Sequence, residues 1–325
     1  MKHIIHIYGA SGSGTSTLGR ALAEAMHLRF MDSDDYFWLP TDPPFTQKRP
    51  IPERLALMQS DIDAAEKGVV ISGSLTGWGD PLMPRFTHAV RVVTPTAVRL
   101  ERLHQREYAR FGARICEGGD MHAAHLEFLD WASGYDTGDL STRSKACHDA
   151  WETRLSCPIT RVDGTEELAA LVRAVRMRMF GIRPMCPADF DALYALWLAT
   201  PGMGLNTTDD SREGIARFLG RNPGTCFVAE QGGQLVGAIM AGHDGRRGYI
   251  YHTCVRAENR QSGLGRALVE AVLDALRAEG IHKVALTVFD RNEGGNAFWA
   301  RMGFTTREDL VYRNRELTEM VRIDT

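Results

Sequence analysis

Two short runs in this sequence join an apolar segment to a helix through glycines, which is how backbone N–H groups are arranged to grip a phosphate. The first is Asn259-Arg260-Gln261-Ser262-Gly263-Leu264-Gly265-Arg266, after which Leu264, Leu268, Val272 and Leu276 recur every fourth residue. That spacing predicts an amphipathic helix opening at the glycines. A helix start exposes N–H groups with no intrahelical partner, and glycine lets the main chain approach an anion with no Cβ in the way. The run is read as a pyrophosphate cradle. Two glycines at a helix start would equally make a tight turn, so the neighbouring residues must decide.

The second run lies at the amino end. An apolar strand, His3 to Tyr8, leads into Gly9-Ala-Ser-Gly-Ser-Gly-Thr-Ser-Thr17, and Leu18, Ala21, Leu22, Ala25 and Met26 make the inner face of a helix. Against Gly-x-x-x-x-Gly-Lys-Ser/Thr the chain offers Gly9, Gly14, Thr15 and Ser16, so Thr15 stands where the lysine belongs. The N–H cradle of Gly9, Gly12, Ser13, Gly14, Thr15, Ser16 and Thr17 survives, and the ammonium that reaches the β- and γ-phosphates is missing. Either another cation replaces it, with Lys48-Arg49 in the proline-rich segment 40–52 as candidates, or the domain binds without turnover.

This half resembles the P-loop nucleotide and small-molecule kinases, adenylate-kinase-like, with a lysine-less loop. Phosphoribulokinases carry a similar Gly-Thr-Ser/Thr ending. The resemblance implies ATP with Mg2+. Asp32 and Asp34 would orient an acceptor hydroxyl or the metal, with Asp34 catalytic and Ser16, Asp32 and Asp34 around the magnesium. A polar loop capping the next helix is the other reading of these acids. Arg99, Arg102, Arg106 and Arg110 fall on one helical face, where like charges four apart repel. They point to an anion, and the resemblance places Arg102 and Arg106 in a lid over the nucleotide. Val69 to Ser74 reads as a buried strand without the acid such a strand normally carries. Residues 120–150 form a helical insert with no chemical role.

In the second half, Gly248 to Val255 and Lys283 to Phe289 read as strands. Arg260-x-x-Gly263-x-Gly265 and the closing Asn292 to Phe304 resemble the GNAT acetyltransferases, over roughly residues 181–325. The resemblance implies acetyl-CoA. N–H groups from Gln261 to Arg266 would hold the pyrophosphate beside Arg260, and a splayed strand with Thr253, Cys254 and Val255 would pair with the pantetheine arm. Asn292 and Trp299 would flank it. The tyrosine the family often places seven residues after the strand-end asparagine is here Trp299, whose indole N–H is no general acid. Proton handling then falls to His252 and Tyr251, with Tyr312 and His243 behind them. Cys254 reads as core filler rather than nucleophile.

These sites need two frameworks. At 325 residues the chain exceeds one ordinary core. We expect an α/β fold in which a P-loop parallel doubly wound sheet (1–180) is fused to an α+β GNAT fold with a mixed sheet (181–325). A net charge of -3 without a long basic run excludes nucleic acid as the main partner and favours a small-molecule amine and a nucleotide. Six cysteines without zinc or Cys-x-x-Cys spacing, and no long apolar run, predict a cytoplasmic protein with no membrane partner. A homodimer stays open. Three functions stay open as well: an acetyltransferase fused to a kinase, an acetyltransferase with a regulatory nucleotide-binding domain, and a kinase governed by an acyl-CoA sensor. The acceptor pocket is expected around Trp197, residues 203–210 and the last hairpin.

Overall fold

Short apolar strands alternating with amphipathic helices can bury both faces of a sheet only if the strands run parallel. The computed structural model, which describes residues 2–41 and 45–325, shows this in the first of its two units, Met1–Val175 and Arg176–Thr325. Strands β1 (His3–Gly9), β2 (Arg29–Asp32), β3 (Gly68–Ser72), β4 (His88–Val93) and β5 (Ile159–Asp163) lie in the order β2-β3-β1-β4-β5, every pairing parallel. Helices α1 (Thr15–Met26), α2 (Ser33–Phe37), α3 (Ile51–Ala64), α4 (Thr96–Phe111), α5 (His122–Ser133) and α6 (Lys145–Glu152) connect and cover them. The unit boundary falls within α7 (Leu168–Met179).

Because the strands are parallel, the loops after β1, β2, β3 and β4 all open on one edge, where open α/β sheets bind ligands. The loop after β1 needs its glycines. A Cβ on Gly9 would stand 2.5 Å from the Val92 carbonyl oxygen, and one on Gly12, at φ +79°, would stand 2.6 Å from that of Arg99. On one side of the sheet Ile4, Tyr8, Met58, Ile62, Ile71, Trp78 and Leu82 form a continuous core.

The second unit has a mixed sheet. Strands β6 (Ile182–Pro184), β8 (Phe227–Gln231), β9 (Gln234–His243), β10 (Gly248–Val255) and β11 (Val284–Leu286) follow the order β11-β10-β9-β8-β6. All pairings are antiparallel except β10 with β11. A separate pair joins β7 (Gly204–Asn206) to β12 (Arg322–Asp324). Helices α8 (Phe190–Leu198), α9 (Arg212–Arg221), α10 (Leu264–Ala278) and α11 (Glu293–Arg301) complete the unit. The stripe Leu264, Leu268, Val272 and Leu276 of α10 is buried, as its spacing predicts.

One expected element is shorter than its sequence suggests. The run Lys283 to Phe289 gives only the three-residue β11, which pairs with β10 over Gly248–Ile250. At that point β10 shifts register against β9, between Ile250 and Thr253. Such a bulge bends and twists its strand, and from Tyr251 onward β10 has no partner on the β11 side among the described residues.

Candidate functional site

In the second unit the bulge turns Tyr251 and His252 out of the regular ladder. The His252 Nε2 lies 2.6 Å from Asp210 Oδ1, and the backbone N–H of Asn206 donates to Asp210 Oδ2 at 2.7 Å. Asp210 is buried, and the wholly buried Trp197 sets its ring 4.8 Å from the imidazole. A carboxylate only accepts hydrogen bonds, so in the neutral imidazole Nε2 carries the proton and Nδ1 keeps its lone pair. Sequence reasoning put Asp210 at the end of a pocket segment and did not connect it to His252, because the two are 42 residues apart.

Tyr251 is 49% exposed, with Phe218 edge-on at 5.3 Å and Tyr249 tilted at 4.9 Å. Packing around its hydroxyl raises its pKa, and the negative forms of Tyr249, Asp209 and Tyr312 add to the effect. It therefore holds its proton at neutral pH. Tyr312 is itself well exposed. His243, at the end of β9, accepts the Gly245 N–H in the following turn. The Thr253 hydroxyl oxygen is buried with no hydrogen-bond partner. Burial pushes the Cys254 thiol up to about 12, so no thiolate forms there at neutral pH. The Val255 carbonyl accepts from Arg260 Nε at 3.1 Å, which fixes the chain entering the glycine turn.

That turn is built on left-handed backbone at Gln261 (φ 60°) and Gly263 (φ 93°). Ser262 Oγ donates to the Asn259 carbonyl and accepts the Leu264 N–H. The first helical bond, Ala267 N–H to the Gly263 carbonyl, leaves the Gly265 and Arg266 N–H groups ahead of the ladder. Gly265 faces Phe298. Asn292 caps α11 by accepting the Gly295 N–H at 2.9 Å. Trp299 is buried, with Phe298 and Phe304 each edge-on at 5.1 Å, so it packs.

In the first unit, Thr15, Ser16 and Thr17 open α1 behind Gly14, whose φ of 99° ends the loop, and with glycine at the N-cap no side chain caps the helix. Buried Ser13 is held by the Thr94 hydroxyl, which donates to its carbonyl at 3.0 Å. Ser16 Oγ donates to Asp32 Oδ2 at 2.9 Å and accepts from Ser72 Oγ at 3.2 Å. Asp32 sits in register beside Ser72, so the acid missing from the end of β3 is present on the next strand. Its second oxygen accepts the Asp34 N–H at 3.2 Å, so it both caps α2 and holds Ser16. Packing around the Asp34 carboxyl and the charge of Asp32 raise its pKa, against Arg143 and Arg106. A serine hydroxyl beside a carboxylate is the hard-oxygen donor set that suits magnesium. Phosphate oxygens and water would complete it, since the described residues hold no cluster of three His, Cys, Asp or Glu suited to a metal.

The arginines of α4 do not act together. Arg99 is wholly buried and donates to the Thr94, Ser11 and Ala132 carbonyls and to Asp136, a structural post that departs from the expected anion-facing row. Arg102 binds the Gly164 carbonyl at 3.0 Å, with its other terminal nitrogen 3.8 Å from where a Gly14 Cβ would stand. Arg106 pairs with Glu107, and its charge reaches Asp34. Arg110 lies 3.9 Å from Glu107. Arg49 is tied to the Asp35 and Tyr36 carbonyls and Lys48 lies over the Phe37 ring. Residues 42–44 of their segment lie outside the described residues. Sequence reasoning gave Arg143 no role, yet its Nη2 donates to the Gly9 carbonyl at 3.1 Å.

No helix is long and apolar enough to cross a membrane among the described residues. The Acetyltransferase (GNAT) family matches residues 190–304, and a family described as AAA domain matches residues 5–122. The chain is 44% identical to the uncharacterized protein YqaC of Bacillus subtilis over 163 residues, 50% of this chain and 89% of that one. It is 31% identical to the acetyltransferase ECA0875 of Pectobacterium atrosepticum over 127 residues, 39% of this chain and 89% of that one. A solved PaiA N-acetyltransferase from Thermoplasma acidophilum, in complex with coenzyme A, is 14% identical with a TM-score of 0.34, covering 43% of this chain and 95% of that one. Through its second unit the chain belongs to the GNAT acetyltransferase family, and its first unit is a P-loop nucleotide-binding domain of the AAA kind.

Proposed function

We propose that residues 181–325 are an acetyl-CoA-dependent N-acetyltransferase acting on a small-molecule amine, fused to an ATP- and Mg2+-binding phosphotransferase domain over residues 1–180. The observation that carries the first part is the open edge of β10 from Tyr251 to Val255, running toward the uncapped glycine turn at the head of α10. An extended pantetheine arm adds to the open edge as a strand would, while its pyrophosphate meets the N–H groups of Gln261 to Arg266.

In the reaction the amine nitrogen forms a bond to the thioester carbon and the C–S bond breaks. His252 Nδ1 takes the amine proton, held in the right tautomer by Asp210. Backbone N–H groups at the bulge stabilise the oxyanion, and the Tyr251 hydroxyl, with Tyr312 beside it, gives its proton to the leaving sulfur. In the first unit the bond between Ser16 and Asp32 supports a magnesium-assisted transfer, with Asp34 facing the acceptor hydroxyl. We place the protein in the cytoplasm. Release of free CoA thiol on mixing the full chain with acetyl-CoA and a panel of amines tests the first activity. Amine-independent background alone would refute it.

A further inference from the structure

Four buried or largely buried arginines of the first unit differ in how their charge is met. Arg54 has the Arg49 carbonyl and the face of the Phe37 ring at 3.8 Å. Arg91 has the carboxylates of Asp149 and Glu152 at 2.5 and 2.8 Å. Arg99 has three carbonyls and Asp136. Arg143 has one carbonyl, that of Gly9, while its Nε is buried with no hydrogen-bond partner, and no carboxylate stands within ion-pair distance among the described residues. Burial lowers its pKa, and the nearby charges of Asp34 and Asp32 pull the other way. A buried cation is normally paired, because desolvation costs several kcal/mol that only an anion or a full set of acceptors offsets. Arg143 has neither, and it sits at the first glycine of the loop from which the lysine is missing. At the loop's other end stands Arg102, with one terminal nitrogen on the Gly164 carbonyl and the other beside Gly14.

We infer that Arg143 and Arg102 together stand in for the absent lysine, gripping the terminal phosphates of a nucleoside triphosphate from the two ends of the Gly9–Gly14 loop. The inference rests on the nucleotide-binding reading of this unit. A guanidinium presents five donors in a planar fork that matches phosphate oxygens two at a time, so two of them replace a single ammonium without lengthening the loop. Thr15 is then a small residue that leaves the space to the arginines.

The test is calorimetric binding of MgATP, MgADP and AMP to the full chain and to R143Q, R102Q and R143Q/T15K. Loss of charge-assisted contacts to the terminal phosphates should weaken MgATP in R143Q by about tenfold or more, with AMP little changed and R102Q showing a smaller loss of the same kind. R143Q/T15K should recover most of the MgATP affinity, which an unfolded domain could not do. MgATP binding by R143Q equal to the parent's would overturn the clamp and leave the nucleotide site standing. So would equal losses of MgATP and AMP without recovery in the double variant. A parent chain that binds none of the three nucleotides would overturn both the clamp and the nucleotide reading.

Discussion

His252 is held at one end and on one face of its ring. Asp210 accepts the hydrogen bond from Nε2–H and Trp197 backs the face, so the lone pair on Nδ1 is presented in one orientation. Removing the base in His252→Ala should lower kcat by roughly 10²- to 10⁴-fold, the usual worth of a positioned proton acceptor. Asp210→Asn is the sharper test of the dyad. An amide N–H facing Nε2 stabilises the other tautomer, which puts the proton on Nδ1, so kcat should fall by an order of magnitude or more while the KM for acetyl-CoA stays put. Unchanged kcat in Asp210→Asn would remove the dyad from the mechanism. Cys254 makes the opposite case, since a buried thiol pushed up to about 12 is no nucleophile. Cys254→Ala should keep acetyl transfer, and a thiol reagent should label exposed Cys116 and Cys186 well before Cys254. A histidine on a strand can be read from the chain as a candidate base. Its carboxylate partner cannot, because nothing local to Asp210 says that the fold will bring it to the bulge.

At the level of elements, the sequence is most legible where periodicity and glycine coincide. The four-residue stripe of α10 and the left-handed Gly263 are both readable from the run that contains them. The splay between β10 and β11 was expected only through the family likeness, since no residue in Lys283 to Phe289 marks where pairing with a bulged neighbour must stop. The turn offers a contrast between its glycines. At Gly263 a side chain is strained by the φ of 93° whatever space surrounds it, whereas a Cβ on Gly265 meets Phe298 ring atoms at 3.4 and 3.5 Å and a Val255 methyl at 3.8 Å, all at ordinary contact distances. Gly263→Ala should therefore lower both the melting temperature and acetyl-CoA affinity. Gly265→Ala should leave the melting temperature nearly unchanged and still weaken acetyl-CoA, because the added methyl crowds the pyrophosphate's approach. Equal affinity in Gly265→Ala and the parent, measured by calorimetry, would put the pyrophosphate elsewhere.

Across the whole chain, two glycine cradles on two unrelated sheets could be inferred from strand-loop-helix order, and the missing lysine and acid were equally plain in the sequence. The acid's replacement was legible too, since Asp32 was already a candidate beside Ser16, although its place next to Ser72 follows only from strand register. Arg143 was hidden, because it reaches the Gly9 carbonyl only through the packing of an insert that carries no motif. The same packing gives the two units different responses to acid. Burial lowers the pKa of His6 and His88 to about 4 and of His148 to about 3, all in the first unit, whereas the second unit has no fully buried histidine among the described residues. Folded values below the unfolded value of about 6.5 mean that the unfolded chain binds more protons. The stability from neutral burial is therefore complete above about pH 6.5 and is lost as pH falls toward 4. Each histidine removes about 1.4 kcal/mol per pH unit once its unfolded imidazole is charged. Scanning calorimetry from pH 7 to pH 5 should thus show the transition raised by MgATP falling by several degrees more than the transition raised by acetyl-CoA. His88→Gln should reduce the excess, since a neutral side chain at that buried position can still bond Thr160 and has no proton to gain. Equal downward shifts of both transitions would mean that the three histidines are not held neutral in the folded first unit.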